Sequence, residues 1–87
     1  MRTLQQVKWV ADGGHEWLQI PIGDARKILA AGGKISEFSY KDSRHAYLEG
    51  DCDAVLWFDH FNALARDITT VVNYDGLDAP CRDMARF

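Results

Sequence analysis

Residues 47–54, with the sequence Tyr-Leu-Glu-Gly-Asp-Cys-Asp-Ala, separate two different apolar patterns in this 87-residue chain. Residues 45–48, which run into the start of this stretch, alternate in polarity, and this alternation predicts a strand. After the stretch, apolar residues recur at helical spacing, which predicts a helix over roughly residues 53–65. Asp51 and Asp53 are both candidate caps for the first backbone N–H groups of that helix. The residues expected on its buried face are Ala54, Trp57, Phe58, Phe61, Leu64 and Ala65.

The first third of the chain contains the same two patterns. Residues 7–11 and 15–20 predict two strands, joined as a hairpin through Asp-Gly-Gly at residues 12–14. Leu18 and Ile20 lie on one face of the second strand, and we expect them in the core. Pro21 and the helical spacing after it predict a helix that ends at Gly32 in the left-handed conformation. The apolar positions of that helix are Ile22, Ala25, Ile28 and Leu29.

The remaining segments complete the predicted fold. Residues 35–48 predict a second hairpin with a polar turn at 41–44, and residues 68–74 predict a strand that Asp75-Gly76 ends. The order ββαββαβ predicts an α+β domain with a mainly antiparallel sheet of about five strands and two helices packed on one face. The domain is expected to span residues 1–87, with an irregular C-terminal tail at 77–87. The other sheet face is then open, and the aromatic residues expected on it are Trp9, Trp17, Tyr40 and Tyr47.

Charge and cysteine content narrow the class of protein. The net charge is −3, and it is uneven: residues 1–48 carry +2 and residues 49–87 carry −5. An acidic balance argues mildly against a nucleic-acid-binding surface. The acidic half could meet a basic partner, but ordinary solubilising charge is the favoured explanation for a surface of this size. Two cysteines are too few for a disulfide framework, and no apolar run reaches the roughly 18 residues of a membrane span. The composition therefore predicts a cytoplasmic protein that does not associate with membranes.

Three segments of the chain resemble a known pattern. Residues 13–21 read Gly-Gly-His-Glu-Trp-Leu-Gln-Ile-Pro, residues 35–40 read Ile-Ser-Glu-Phe-Ser-Tyr, and residues 46–54 read Ala-Tyr-Leu-Glu-Gly-Asp-Cys-Asp-Ala. In this order they resemble a family of small proteins of unassigned function encoded by bacteria, their phages and plasmids, with the pattern HGWLxVP, ISxxSY, YLEEDCDA. This chain has Glu16 and Gly50 where that pattern has a glycine and an acid. The resemblance implies a mobile-element origin and supplies no catalytic residues.

Several chemical sites are conceivable from the residue types. Cys52 at a helix start could form a thiol enzyme with one of the three histidines, because a helix N-terminus lowers a thiol pKa. The flanking acids oppose that effect, and we expect an inert, mostly buried Cys52. The histidines and cysteines lack the spacing of a metal site. Aromatic residues on an open sheet could stack nucleic-acid bases, but no Lys/Arg cluster accompanies them. We assign no catalytic, cofactor-binding or metal-binding residue.

The function that these observations favour is stoichiometric protein–protein binding without catalysis. The resemblance implies a small mobile-element accessory protein. The most specific form of this hypothesis is an inhibitor of a bacterial defence system such as CRISPR. Exposed aromatic residues would provide anchors and the acidic residues would complement a bacterial protein with a basic surface. The alternatives are a small thiol enzyme that uses Cys52 and a histidine, and a nucleic-acid-binding accessory protein. The predicted protein-binding residues are Trp9, Trp17, Tyr40, Tyr47, Glu49, Asp51, Asp75, Asp78 and Asp83.

Overall fold

A computed structural model describes residues 7–75 and 77–87 of the chain. Residues 1–6 of the expected domain, and Gly76 of the predicted Asp75-Gly76 break, lie outside this part. Within it the structure has six strands, two α-helices and two short 3-10 helices. The strands are β1 (Lys8–Asp12), β2 (Glu16–Pro21), β3 (Tyr40–Lys41), β4 (His45–Glu49), β5 (Val71–Tyr74) and β6 (Ala85–Arg86). The helices are α1 (Ile22–Ala30) and α2 (Ala54–His60), with 3-10 turns at Ala65–Asp67 and Pro80–Asp83.

The described strands form one open sheet in the order β5-β1-β2-β4-β3-β6. Every neighbouring pair is antiparallel except β1 and β5, which are parallel. The parallel pair follows from the connection, because the chain leaves β4, passes through α2 and returns as β5 in the same direction. The predicted α+β class is confirmed, and the sheet is mixed and has six strands rather than about five.

One face of the sheet packs against both helices. Leu18 and Ile20 of β2 are fully buried, as predicted, and they share a cluster with Ala46 and Leu48 of β4. The helices contribute Ala25, Ile28, Ala54 and Trp57 to the same cluster. Trp57 is fully buried, and its indole N–H donates to the Asp24 carboxylate at 3.0 Å. This helix-side core fixes the β2–β4 pair at the centre of the molecule.

Both helices end with a residue in the left-handed conformation. Gly32 has φ +95°, which confirms the left-handed glycine predicted for the end of α1. Its N–H donates to the Leu29 carbonyl and the Gly33 N–H donates to the Ile28 carbonyl, which is a Schellman arrangement. Asn62 has φ 52° and Ala63 N–H donates to the Phe58 carbonyl, so α2 ends the same way. The predicted extension of α2 to residue 65 is therefore wrong.

The early end of α2 changes which residues of the predicted buried stripe reach the core. Phe58 and Phe61 are only partly buried, and Leu64 is 51% exposed, because the chain turns away from the sheet before residue 64. Ala65 is also exposed. Phe58 and Phe61, expected to be buried, pack against the core from partly exposed positions, and Trp57 takes the central place.

The segment before β3 is a loop, although its alternation predicts a strand from residue 35. The Asp53 carboxylate accepts hydrogen bonds from the Ser36 N–H at 3.1 Å, from the Ser36 hydroxyl and from the Ser39 hydroxyl. These bonds curl residues 36–39 toward the start of α2 and leave two residues, Tyr40–Lys41, for the strand. Asp53 occupies the predicted N-cap position, but its side chain fastens this loop to the helix start and does not cap the helix.

The second sheet face is covered, and the prediction that it is open is wrong. Residues 77–87, expected to be irregular, contain a 3-10 turn and strand β6. Ala79 and Cys81 are each 1% exposed and pack over this face. They bury three of the aromatic residues that we expected to be exposed: Trp17, Tyr40 and Tyr47.

The fourth aromatic residue lies on the opposite face. Trp9 is paired with Leu18, whereas Val10 is paired with Trp17, and directly paired residues share a face. Trp9 therefore belongs to the helix side, where it is partly buried and its ring centroid lies 6.1 Å from that of Phe58. Trp9 and Trp17 cannot form one exposed aromatic surface.

Candidate functional site

The C-terminal segment leaves one part of its sheet face uncovered, and an open pocket of about 430 Å³ lies there. It is next to the β4–α2 junction, where the strand ends of β2 and β4 meet the loop before β3. We call it the junction pocket. Its lining residues are His15, Trp17, Phe38, Tyr40, Glu49, Asp51, Cys52, Arg82 and Arg86.

Aromatic rings with guanidinium groups over them form the floor of the junction pocket. The Trp17 and Tyr40 rings meet edge to face with centroids 6.0 Å apart. The Arg82 guanidinium lies 5.0 Å from the Trp17 ring centroid, and that of Arg86 lies 5.5 Å from the Tyr40 ring centroid. Phe38 stands at the rim and is 56% exposed, while its carbonyl accepts the Trp17 indole N–H at 3.4 Å. The Trp17 and Tyr40 rings also belong to the second core, which is the buried cluster of Val10, Trp17, Tyr40, Tyr47, Ala79 and Cys81.

The acidic side of the pocket is built on the last residue of β4. Glu49 is 6% exposed and pairs across the sheet with Trp17, so both side chains are on the pocket side. Its Oε2 accepts the Asp51 N–H at 3.1 Å, and its Oε1 lies 3.7 Å from Nδ1 of His15. Asp51 itself is exposed. The pocket therefore has a buried carboxylate at its base and a solvated carboxylate at its edge.

Gly50 lies between Glu49 and Asp51 and allows the turn that carries them to pack closely against β2. Its N–H donates to the Glu16 carbonyl at 2.9 Å, and a Cβ on Gly50 would lie 2.9 Å from Cγ of Glu16 and 3.2 Å from that carbonyl oxygen. A side chain at residue 50 would displace the Glu16 side chain and press on the Glu16 carbonyl. This close approach is a physical reason for glycine where the resembled pattern has an acid.

Cys52 lies at the pocket edge and is exposed, so the expectation that it is mostly buried is wrong. It sits on the turn between β4 and α2, where the chain runs along the surface. Its pKa is raised above the ordinary value, chiefly because the thiol is hydrogen-bonded to Glu49, and further because the carboxylates of Glu49, Asp53 and Asp51 are near. The carboxylates outweigh the lowering effect expected from the helix start. The thiol is accessible but not activated as a nucleophile.

The basic side of the pocket contains two arginines in different states. Arg82 Nε and Nη2 donate to the two carboxylate oxygens of Asp12 at 2.6 and 3.0 Å, so its charge is matched within the fold. This ion pair lowers the pKa of Asp12 well below its usual range and raises that of Arg82. Arg86 is exposed and contacts the Tyr40 ring. Of the two, Arg86 is the group placed to meet a ligand.

The structure brings four of the predicted binding residues together in the junction pocket: Trp17, Tyr40, Glu49 and Asp51. It places the other five elsewhere: Trp9 on the helix side, Tyr47 under the C-terminal segment, and Asp75, Asp78 and Asp83 exposed outside the pocket. Phe38, Arg82 and Arg86 were missed as site residues, because the tail showed no period that would place it against the sheet. Burial raises the pKa of Tyr47 to about 12, which is consistent with its position inside the second core.

Two other properties of residues 7–75 and 77–87 bear on function. Their His, Cys, Asp and Glu side chains form no group of three or more that could hold a metal ion. None of their helices has the length and apolar content needed to span a membrane.

The fold and the pocket define a small α+β domain with helices on one sheet face and a C-terminal segment on the other. Comparison with protein-family models, curated proteins and solved structures finds no match to this chain.

Proposed function

We propose that this protein acts by binding another protein, and that the junction pocket is its anchor point. The observation that carries the proposal is the pocket itself: it is open, floored by rings, and lined by charges of both signs. Concave sites with a few placed polar groups and aromatic walls are typical binding sites. The raised pKa of Cys52 supports binding over the alternative of thiol catalysis.

The surroundings of the pocket favour a protein as the ligand. Phe38, exposed at the rim, is the type of aromatic side chain that anchors protein interfaces. The carboxylates of Asp51, Asp75, Asp78 and Asp83 are all exposed. They would attract a partner with a basic surface and guide its approach.

The identity of the partner follows from the resemblance alone. Proteins of phages and plasmids act inside bacterial cells, so we propose a bacterial cytoplasmic partner. A component of a defence system such as CRISPR is the sharpest form of this proposal. A surface that normally holds nucleic acid would supply the basic charge.

Affinity capture from a bacterial lysate treated with nuclease tests the proposal when it includes matched variants. Phe38→Ala and Asp51→Lys alter the pocket rim. Val71→Ala also truncates an exposed apolar side chain, on β5, and Asp67→Lys makes the same charge reversal in the 3-10 turn after α2; both residues are exposed and lie away from the pocket. We expect a stoichiometric complex that the pocket variants weaken at least tenfold, about 1.4 kcal/mol, and the control variants leave unchanged. The proposal would be contradicted if the pocket variants and the control variants lost affinity for the partner equally, or if the capture recovered nucleic acid and no protein.

A further inference from the structure

The junction pocket has an acidic end and a basic end, and this polarity restricts what it can bind. Glu49 and Asp51 form the acidic end beside β4, and Arg86 on β6 forms the basic end. Arg86 pairs with Tyr40, Tyr40 pairs with Tyr47, and Glu49 is two residues beyond Tyr47. Strand spacing and rise then place the Cα atoms of Glu49 and Arg86 roughly 12 Å apart. Their side chains line the same cavity, so one ligand that enters it can meet both ends.

The fold does not neutralise these two ends with each other. Arg82, which lies over Trp17 on the β1–β2 side of Glu49, is held by Asp12. Glu49 keeps its carboxylate at the pocket base with the Asp51 N–H and His15 beside it, and Asp51 reaches solvent. Arg86 rests on the Tyr40 ring. A ligand with a single charge would meet one favourable end and one unfavourable end.

We propose that the junction pocket recognises an arginine residue that carries a free carboxylate, the chemistry of a C-terminal arginine on the partner chain. The guanidinium pairs with Glu49 and Asp51, and the carboxylate pairs with Arg86. The aliphatic stem lies in the cavity beneath Phe38, against the Arg82 and Arg86 side chains that cover the Trp17 and Tyr40 rings. Arginine fits better than lysine because its planar guanidinium binds carboxylates in a bidentate manner. This inference rests on the proposed function and names the partner group that the pocket takes.

Small probes test this chemistry without the partner. The readout is the indole N–H signal of Trp17 in ¹⁵N-labelled protein, since that group lies at the pocket and donates to Phe38. We expect Nα-acetylarginine to shift this signal with a millimolar Kd. Nα-acetylarginine amide, which lacks the carboxylate, should bind about tenfold more weakly because one charge-assisted pair is lost. Nα-acetylnorleucine, which lacks the guanidinium, should leave the signal unmoved.

Variants assign the two ends. Arg86→Gln should abolish the preference for the acid over the amide, and Asp51→Asn should weaken both arginine probes. Arg44→Gln and Asp67→Asn are matched controls at exposed residues outside the pocket, and they should bind like the wild type. Binding of Nα-acetylnorleucine, absence of binding by all probes, or an unchanged acid preference in Arg86→Gln would each overturn the inference.

Two further comparisons are needed. One distinguishes a C-terminal arginine from free arginine as the ligand, and the other distinguishes failure of this inference from failure of the proposed function. A Gly-Gly-Arg peptide should bind at least as tightly as Nα-acetylarginine, and tighter binding of free arginine would overturn the assignment to a chain terminus. If the probes fail while partner capture still depends on Phe38 and Asp51, this inference is wrong and the proposed function stands. If the probes bind as expected while capture ignores both variants, the inference stands and the proposed function is wrong.

Discussion

At the scale of single residues, Asp12 determines whether the C-terminal segment covers the sheet. Its carboxylate accepts the N–H groups of Gly14 and His15 within its own turn. It also accepts the Ala79 N–H and two donors of Arg82 from the far end of the chain. Only 2% of this side chain is exposed. This ion pair, in which the Asp12 carboxylate is buried and the Arg82 side chain is 30% exposed, links the hairpin turn to the C-terminal segment that covers the second core.

We expect Asp12→Asn to destabilise the protein by about 3 kcal/mol near neutral pH, because it leaves Arg82 without its partner. Asp42→Asn is the matched control, since Asp42 makes the same turn bonds, to Arg44 and His45, at an exposed site. Chemical unfolding of both variants measures the difference. A loss in Asp12→Asn no larger than in Asp42→Asn would show that the ion pair does not hold the segment.

The same pair predicts a pH dependence of stability. The pKa of folded Asp12 lies well below its ordinary value of 3.8. A depressed folded pKa gives stabilisation that is complete above the unfolded value and is lost as the pH falls toward the folded one. The difference in unfolding free energy between wild type and Asp12→Asn should thus be constant above about pH 5 and shrink below 3.8. A difference that grows on acidification would contradict this assignment.

Cys52 provides a second test at this scale. Its thiol is exposed, and the neighbouring carboxylates keep its pKa raised, with Glu49 as the largest cause. Glu49→Gln should lower that pKa, increase the thiolate fraction and speed alkylation by iodoacetamide at pH 8, whereas Asp67→Asn should not. Cys81 should stay unreactive in all three proteins, since burial raises its pKa to about 11. Equal alkylation rates in wild type and Glu49→Gln would contradict this view of the site.

At the scale of elements, α2 is held by Trp57 rather than by its phenylalanines. Helical spacing correctly predicts which stripe faces the core, but it cannot predict where the helix ends. Asn62 in the left-handed conformation stops α2 after two turns, so the later positions of the stripe do not face the sheet. Asn is a known alternative to glycine at this position, and this signal was present in the sequence.

We expect Trp57→Phe to cost about 1–3 kcal/mol, because the Asp24 carboxylate loses a buried donor. The same substitution in an Asp24→Ala background should cost less, and the difference gives the coupling between the two side chains. Phe61→Leu, at a partly buried position, is expected to cost less than Trp57→Phe. Urea unfolding of the four proteins of the cycle measures the coupling. A coupling of zero would mean that the indole N–H does not stabilise α2.

The elements that sequence reasoning missed are those that long-range contacts create. Local periods predict β1, β2, α1 and β4, since each has a regular alternation or stripe of its own. The loop at residues 36–39 and the segment at 79–87 depend on Asp53 and Asp12, which act across 14–17 and 67–70 residues. For the same reason the sequence predicts half of the junction pocket, on β2, β3 and β4, and misses the arginines of the C-terminal segment.

At the scale of the whole molecule, the two sheet faces are covered differently. The helix face holds the larger core, with α1 and α2 packed on the β2–β4 pair. The other face holds a smaller core under the C-terminal segment and leaves the junction pocket open. Acidic side chains lie beyond the pocket as well as in it. Under the proposed function, exposed charge would guide a partner from a distance and the pocket would retain it.

In the proposed complex, the exposed charges should mainly determine the association rate and the pocket should mainly determine the dissociation rate. Charge reversal of Asp75, Asp78 and Asp83 together should slow association with the captured partner several-fold and leave dissociation nearly unchanged, since these exposed groups lie outside the pocket. Phe38→Ala should instead speed dissociation, because anchors buried in an interface govern residence time.

Added salt should slow association of the wild type, since exposed charges are screened beyond about 8 Å at physiological ionic strength. The charge-reversed variant should lose most of that salt dependence. Surface-plasmon measurements of both rates at several salt concentrations check these expectations. Salt-independent association of the wild type, or modification of the partner at far below one molar equivalent, would contradict charge-guided stoichiometric binding.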